Sequence, residues 1–359
     1  VPSALSSAVP SLASPQGVTV ASEWKNWGLS SLSLSGISAA EAWKLGTGNS
    51  KVVVAVIDTG IDANHPALKP YLWKDPSISD RSVYGWDFLR NQPNPQDDLG
   101  HGTHIAGIIG GARLPSEGIS GVAPGVSIMA LKYYSEANTG EVNLANSIKA
   151  MHYAIDHGAK IMNFSGGGPE FSEEEYLALR KAEARGVLVV CAAGNEHENT
   201  DKIENYFYPA AYGLSNVISV AALDLEGDLT PASNWGKRKV HLAAPGKNIL
   251  SLLPGAKVGP MSGTSQATAF VSGVAALLLS RDPSLTPQEL KALLMGSVDR
   301  TSQLAERVAS GGKLNAHRAL LQAQERMVLA STNPGPSLER QPVSVAKART
   351  VGVRVRARR

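Results

Sequence analysis

Val52-Val53-Val54-Ala55-Val56-Ile57-Asp58-Thr59-Gly60 is the stretch that decides the fold. An unbroken, mostly β-branched apolar run, rather than an alternating one, marks a strand covered on both faces, as in a parallel sheet. The run stops at a carboxylate followed by a glycine turn. Runs of the same kind recur at residues 127–131, 160–164, 187–193 and 217–220. Helical patterns separate them: residues 142–157 carry Leu144, Ile148, Met151 and Ile155 on one face, and residues 172–185 form a more polar helix. This alternation predicts an α/β fold with a mostly parallel central sheet and helices on both faces. Later, Thr286-Pro287-Gln288-Glu289 predicts a helix start, with Thr286 as cap, Pro287 at the first helical position and Glu289 closing a capping box.

The chain has 359 residues, 43% of them hydrophobic, enough to bury a large core. A formal net charge of only +3 excludes nucleic-acid binding by bulk charge. The single cysteine, Cys191, excludes an internal disulfide, and its apolar setting predicts a buried, inert thiol. The best membrane candidate, residues 267–279, falls short of the roughly 18 to 20 apolar residues that a span needs. Residues 1–22 are rich in Ser, Pro and Ala and read as a linker or leader remnant. The chain opens on Val1-Pro2-Ser3, with neither an initiator Met nor a signal-peptide pattern, which reads as a processed or trimmed start. Residues 23–322 read as one compact domain. Residues 323–359 read as a basic tail, with a loose tail, an added edge strand and an anionic-surface contact as alternatives.

Polar residues interrupt the apolar runs at informative places. Asp58, Ser165 and Asn195 each fall at the C-terminal end of a predicted parallel strand, where open α/β sheets form their ligand crevices. Taken singly, such residues commonly cap turns and helices. His101 opens the small-residue helix His101-Gly102-Thr103-His104-Ile105-Ala106-Gly107. The His-x-x-His spacing lacks a third ligand and the i, i+4 pattern of a helical zinc site, so no metal is expected. One of the two histidines then serves as a base and the other is structural. Ser262-Gly263-Thr264-Ser265 leads into a long small and apolar stretch, placing Ser265 on the first turn of a buried helix among unpaired N–H donors. Asp58, His101 and Ser265 together supply the three parts of serine acyl transfer, in one of the chain orders by which that arrangement arises.

Val54-Ala55-Val56-Ile57-Asp58-Thr59-Gly60-Ile61, His101-Gly102-Thr103-His104-Ile105-Ala106-Gly107 and Gly263-Thr264-Ser265 closely resemble the three signatures of the subtilisin-like serine proteases (peptidase S8 type). Gly121-Val122-Ala123-Pro124, Ala192-Ala193-Gly194-Asn195 and Ala243-Ala244-Pro245-Gly246 extend the match. The resemblance implies a three-layer subtilisin-like fold and a serine endopeptidase working through an acyl-enzyme. Asp58, His101 and Ser265 would be its triad, Asn195 its oxyanion-hole asparagine, and His104 structural. It further implies that Ser165-Gly166-Gly167 and Asn138-Thr139-Gly140 are the two edges pairing with an extended substrate backbone. Glu196 would sit at the rim of the main specificity pocket, favouring basic side chains, and Phe207 near that pocket's floor, shortening it. Protein or peptide substrates, a cleaved propeptide, a monomeric state, a secreted location and no required cofactor are implied as well.

Three departures from the family pattern stand out. Ala269 occupies the place of the usual proline four residues after the serine, which suggests a slightly different helix start and a peptide transamidase or ligase as alternative activity. Ala67 and the loop Ala112-Arg113-Leu114-Pro115-Ser116-Glu117 lack carboxylates of the family's calcium site, so structural calcium is not expected there. The acidic loop with Glu196, Glu198, Asp201 and Glu204 offers a second conceivable cation site, against a plain solvated face. A non-catalytic binding scaffold is the third reading, weakened by the intact Asp58, His101, Asn195 and Ser265.

Overall fold

A computed structural model describes residues 24–77 and 82–332. The leader reading of residues 1–22 lies outside the described residues; of the tail expected at residues 323–359, residues 323–332 continue the last helix, Ala316–Thr332, and residues 333–359 lie outside the described residues. The chain divides after Ala323 into two units.

The strands are β1 (Val53–Asp58), β2 (Gly85–Asp87), β3 (Gln92–Pro93), β4 (Ser127–Lys132), β5 (Ile161–Phe164), β6 (Leu188–Ala192), β7 (Val217–Leu223), β8 (Leu242–Pro245), β9 (Ile249–Leu253), β10 (Lys257–Met261), β11 (Asp299–Arg300) and β12 (Gly312–Lys313). The helices are α1 (Ala39–Trp43), α2 (His101–Gly110), α3 (Gly140–Asp156), α4 (Glu173–Ala184), α5 (Thr264–Arg281), α6 (Pro287–Gly296) and α7 (Ala316–Thr332). Ten strands make one sheet in the order β11-β12-β8-β7-β6-β5-β1-β4-β2-β3, while β9 and β10 form a separate hairpin. Every pairing from β12 through to β2 is parallel, and only the outermost β11 and β3 run antiparallel.

The unbroken apolar run of β1 is explained by what covers it. Val54 and Val56 join Ile105 and Ile109 of α2 and Phe270 and Val274 of α5 in one core. Ala55 and Ile57, on the opposite face, join Met151 and Ala154 of α3 and Leu179 and Ala182 of α4 in another. Side chains of a strand alternate between faces, so a strand with a core on each side needs apolar residues at every position. The sheet therefore carries helices on both faces, as the sequence predicts. The chain crosses over β1 between β4 and β5, so the C-terminal ends of these three strands surround the switch point where such sheets open a crevice.

Local chemistry sets the helix boundaries. The Thr286 hydroxyl accepts from Glu289 N–H at 3.3 Å and the Glu289 carboxylate accepts from Thr286 N–H at 2.8 Å, the reciprocal box expected from sequence. Two hydroxyls inside the buried α5 find internal partners: Thr268 Oγ1 donates to Thr264 O at 2.8 Å and Ser272 Oγ to Asn163 Oδ1 at 2.9 Å. Cys191 is buried in β6, and burial pushes its thiol well up, out of reactive range.

Glu175 of α4 is only 3% exposed, and burial raises its carboxyl from the ordinary 4.5 to about 7, against a lowering hydrogen bond from Tyr212. The Tyr212 hydroxyl lies 2.8 Å from Glu175 Oε2 and 2.9 Å from Ser172 O, and its one proton serves one of them at a time. A protonated Glu175 donating to Tyr212, with Tyr212 donating to Ser172, satisfies all three. A carboxyl whose folded pKa is raised costs stability as pH climbs from 4.5 to about 7, because the unfolded chain releases the proton first. Glu175→Gln keeps the donor without the charge. Its stability advantage over wild type should widen from under about 1 kcal/mol at pH 5 to about 3 kcal/mol at pH 8. Urea melts at the two pH values check this, and a gap that does not widen refutes it.

Candidate active site

β1 delivers Asp58 at its last position, and α2 begins at His101. His101 Nδ1–H donates to Asp58 Oδ1 at 2.8 Å. A carboxylate can only accept, so this bond fixes the proton on Nδ1 and leaves Nε2 with a lone pair. Asp58 is 4% exposed and the His101 side chain 33%, so the ring is held from the inside and open on its outer edge. Burial by itself would lower the imidazole pKa; the Asp58 charge and hydrogen bond, helped by Asp97, outweigh it and hold His101 above its ordinary 6.5.

Gly102 allows this approach. A Cβ there would run into the Gly60 carbonyl and stand 3.2 Å from both Cβ and Oδ1 of Asp58. A further organiser, Asp97, has no counterpart in the sequence reading. Its Oδ1 accepts from Thr59 Oγ1 at 2.8 Å and Gly100 N–H at 2.8 Å, and its Oδ2 accepts from Thr103 N–H at 2.9 Å and Oγ1 at 2.6 Å. It thereby ties the start of α2 to the residue after Asp58. The local signal was an aspartate in a polar turn ahead of a helix, but its partner Thr59 lies far away in sequence.

Ser265 is the second residue of α5, whose N-cap Gly263 has φ +152° and ψ 171°, a backbone region that favours glycine. The Ser265 hydroxyl donates to Ser165 O at 3.4 Å, and no hydrogen bond joins it to His101. Ser165 follows β5 just as Asp58 follows Ile57: Ile57 pairs with Phe164 on the neighbouring strand. Asp58 with His101, and Ser165 with Ser265, therefore meet at adjacent strand ends. Asn195 completes the cluster. Its Oδ1 accepts from Thr264 N–H at 3.0 Å and Thr264 Oγ1 at 3.2 Å, which aims its Nδ2 the other way. Gln266, next to Ser265, is buried with neither amide atom hydrogen-bonded among the described residues.

The other predicted site residues spread further. Gly166 and Gly167 make no backbone hydrogen bond among the described residues, leaving that edge available to an extended chain. Asn138 sits in a turn closed by its N–H to Ser135 O at 3.2 Å, Thr139 caps α3 by accepting from Val142 N–H at 3.3 Å, and Gly140 is the first residue of that helix. None of their hydrogen bonds reaches Asp58, His101 or Ser265. The Glu196 carboxylate accepts from Asn234 Nδ2 at 2.6 Å. His104 stands apart from the pair: its Nε2 meets the carbonyls of Ile249 at 2.9 Å and Gly259 at 3.1 Å, fastening α2 to the β9–β10 hairpin. Burial and the His101 charge lower it to about 4, so it stays neutral.

The residues at the family's calcium position do not suit a hard cation. Ala67 is buried and offers no carboxylate, and the Arg113 guanidinium lies 4.0 Å over the Trp43 ring. On the acidic loop, Glu198 accepts from Asn205 Nδ2 at 2.6 Å, and Asp201 accepts from the N–H groups of Arg238 and Lys239 at 3.0 Å. Among the described residues no group of three His, Cys, Asp or Glu side chains is placed to hold a metal. No described helix is long and apolar enough to cross a membrane.

A parallel α/β sheet that presents an Asp–His pair and a helix-borne serine at neighbouring strand ends defines a serine hydrolase. The family model for the subtilase family, peptidase S8, matches residues 49–318, and the chain belongs to that family. It is 38% identical over 248 residues to the major intracellular serine protease of Bacillus subtilis, covering 68% of this chain and 73% of that protein. It is 36% identical over 285 residues to thermitase of Thermoactinomyces vulgaris, covering 79% and 93%. A crystal structure of MycP1 with its N-terminal propeptide removed superposes with a TM-score of 0.67 at 27% identity, over 79% of this chain and 94% of the other. The protein is thus a subtilisin-like serine endopeptidase. Its relatives include proteases named as intracellular, so family membership does not carry export with it.

Proposed function

We propose that the protein hydrolyses peptide bonds by attack of Ser265 Oγ on the substrate carbonyl carbon, acting as a monomer on protein or peptide substrates. The observation that carries this reading is the Asp58–His101 bond of 2.8 Å at the strand end beside the one that touches Ser265. His101 Nε2 takes the hydroxyl proton as the Oγ–C bond forms. The carbonyl electron pair moves onto oxygen, where Asn195 Nδ2 and the Ser265 backbone N–H donate to it. The electrons return, the C–N bond breaks, and His101 gives its proton to the departing amine. Water then attacks the Ser265 ester, with its proton passing to His101 and on to Ser265 Oγ as the ester opens. Extended substrate aligns along residues 165–167 by main-chain pairing.

Removal of a propeptide and export are carried over from the family resemblance. Finding the labelled enzyme in lysate rather than medium refutes export. Transfer of the acyl group to an added amine in place of water is the second reading, resting on Ala269, which lies fully buried inside α5. Calcium has no role at the Ala67 position, so chelator should move the thermal midpoint by less than about 2 °C; a larger fall contradicts this.

A fluorophosphonate, which reacts only with an activated serine, tests the core of the proposal. Wild type should take up one equivalent and Ser265→Ala none. A wild type that takes up none refutes catalysis and leaves a binding scaffold.

A further inference from the structure

Asp58 and Asn195 stand at the C-terminal ends of their parallel strands. At the opposite, N-terminal ends of β7 and β8 lies an open cavity of about 360 Å³. Lys239, His241 and Lys291 line it, together with Arg238 and Tyr206. Among the described residues no carboxylate belongs to its lining.

The three inner groups are held in place and still have donors to give. Ser219 N–H donates to His241 Nδ1 at 2.9 Å, and His241 N–H donates to Ser219 O at 2.9 Å. Nδ1 is thus the acceptor and Nε2 carries the proton. That Nε2–H has no hydrogen-bond partner among the described residues, on a ring that lines the cavity. Lys291 Nζ donates to Val217 O at 2.7 Å and to Leu214 O at 3.4 Å, which leaves it a third proton. Lys239 Nζ donates to Ala211 O at 2.8 Å and stands 4.8 Å from the centre of the Tyr206 ring. Backbone carbonyls take up hydrogen bonds from both ammoniums but leave both charges unneutralised. Arg238 differs: its Nη2 donates to Asp201 O at 2.9 Å and its Nε lies 3.7 Å from the Asp201 carboxylate.

The electrostatics express the same imbalance. Burial lowers Lys291 to about 8, with Cys191 opposing. Burial, then the charges of Lys291 and Lys239, lower His241 to about 3, so it stays a neutral donor. Positive charge is gathered in a half-buried place with nothing negative to offset it.

We propose that this cavity binds a phosphate dianion, free or as the head of a small phosphomonoester, between the Lys239 and Lys291 ammoniums and His241 Nε2–H. A tetrahedral dianion matches two positive charges and presents acceptor oxygens in several directions. A carboxylate brings one charge and two coplanar oxygens. The same two ammoniums repel a metal cation. The site is remote from acyl transfer and does not depend on it.

Isothermal titration calorimetry at pH 7 in about 0.15 M NaCl reads the affinities for inorganic phosphate and for glycerol 3-phosphate. Wild type should bind one equivalent. Lys239→Met and Lys291→Met should each weaken binding at least ~10-fold, the scale of a lost charge-assisted hydrogen bond. Lys160→Met removes the same charge from an exposed position elsewhere and should leave the affinity within ~2-fold. Tighter glycerol 3-phosphate supports the proposal with a phosphomonoester as ligand, and tighter inorganic phosphate supports it with the free ion. Should a methionine variant lose its cooperative urea melt, the glutamine variant at that position, which keeps a donor for the carbonyls, is read in its place. Wild type that binds neither anion overturns the proposal. So does equal weakening by Lys160→Met, or an affinity that neither cavity variant moves.

Discussion

Replacing His101 with alanine lowers kcat roughly a million-fold, the scale measured on a subtilisin triad. Among the described residues no other base is placed to take the Ser265 proton: Asp58 is spent on His101 Nδ1 and Thr59 N–H, and His104 Nε2 faces two backbone carbonyls. The loss should not grow when Ser265→Ala is added, because the two groups act in one step. Asp58→Asn should cost less, roughly ten-thousand-fold, by letting the imidazole carry its proton on the wrong nitrogen. The pH profile gives a second readout. His101 must be neutral to act as base, and its pKa is held above 6.5, so kcat/KM falls as pH drops through that raised value. Removing the Asp58 charge takes away the two larger raising influences and leaves burial opposed by Asp97 alone, so the acid limb should move to lower pH. A full-activity His101→Ala enzyme, or an acid limb unmoved in Asp58→Asn, contradicts the assigned roles.

Asn195→Ala should lower kcat by about 10² to 10³, or about 3 kcal/mol of transition-state stabilisation, a scale again set on a subtilisin, with KM little changed. The oxyanion exists only along the reaction path, so its donors act on the barrier more than on substrate binding. Alanine also strips the acceptor from Thr264 N–H and Oγ1, which complicates the result. Asn195→Asp resolves it. The aspartate keeps both acceptor bonds to Thr264 but puts a negative oxygen where the Nδ2 donor was, and it should be at least as damaging as alanine. Retained kcat in Asn195→Asp, or a loss confined to KM, removes Asn195 from the oxyanion site.

The strand ends were legible because burial on both faces forces continuous apolar runs, and a polar residue closing such a run is conspicuous. Asp58, Ser165 and Asn195 all announce themselves this way. The capping box at Thr286 was equally legible, since its two bonds lie within four residues. Other elements gave no local signal. β10 contains Gly259 and Pro260, both poor strand residues, and takes its form from antiparallel pairing with β9. The short β2, β3, β11 and β12 exist only through neighbours on the sheet. Thr139 and Gly140, matched to a substrate edge by resemblance, also start α3.

By itself the sequence determined the parallel α/β architecture, the family, and the residue types that perform the chemistry, because hydrophobic period and local capping are written in consecutive residues. Only the tertiary structure decided how those residues meet. Asp97 reaches Thr59 across a long loop to set the His101 helix, Thr264 turns the Asn195 amide, and Phe207 lies between glycines from two different strand ends. The physical reason is range. Burial pattern and helix caps are short-range properties of the chain, whereas the direction of a side chain and the shape of a pocket depend on packing between segments that the sequence keeps far apart.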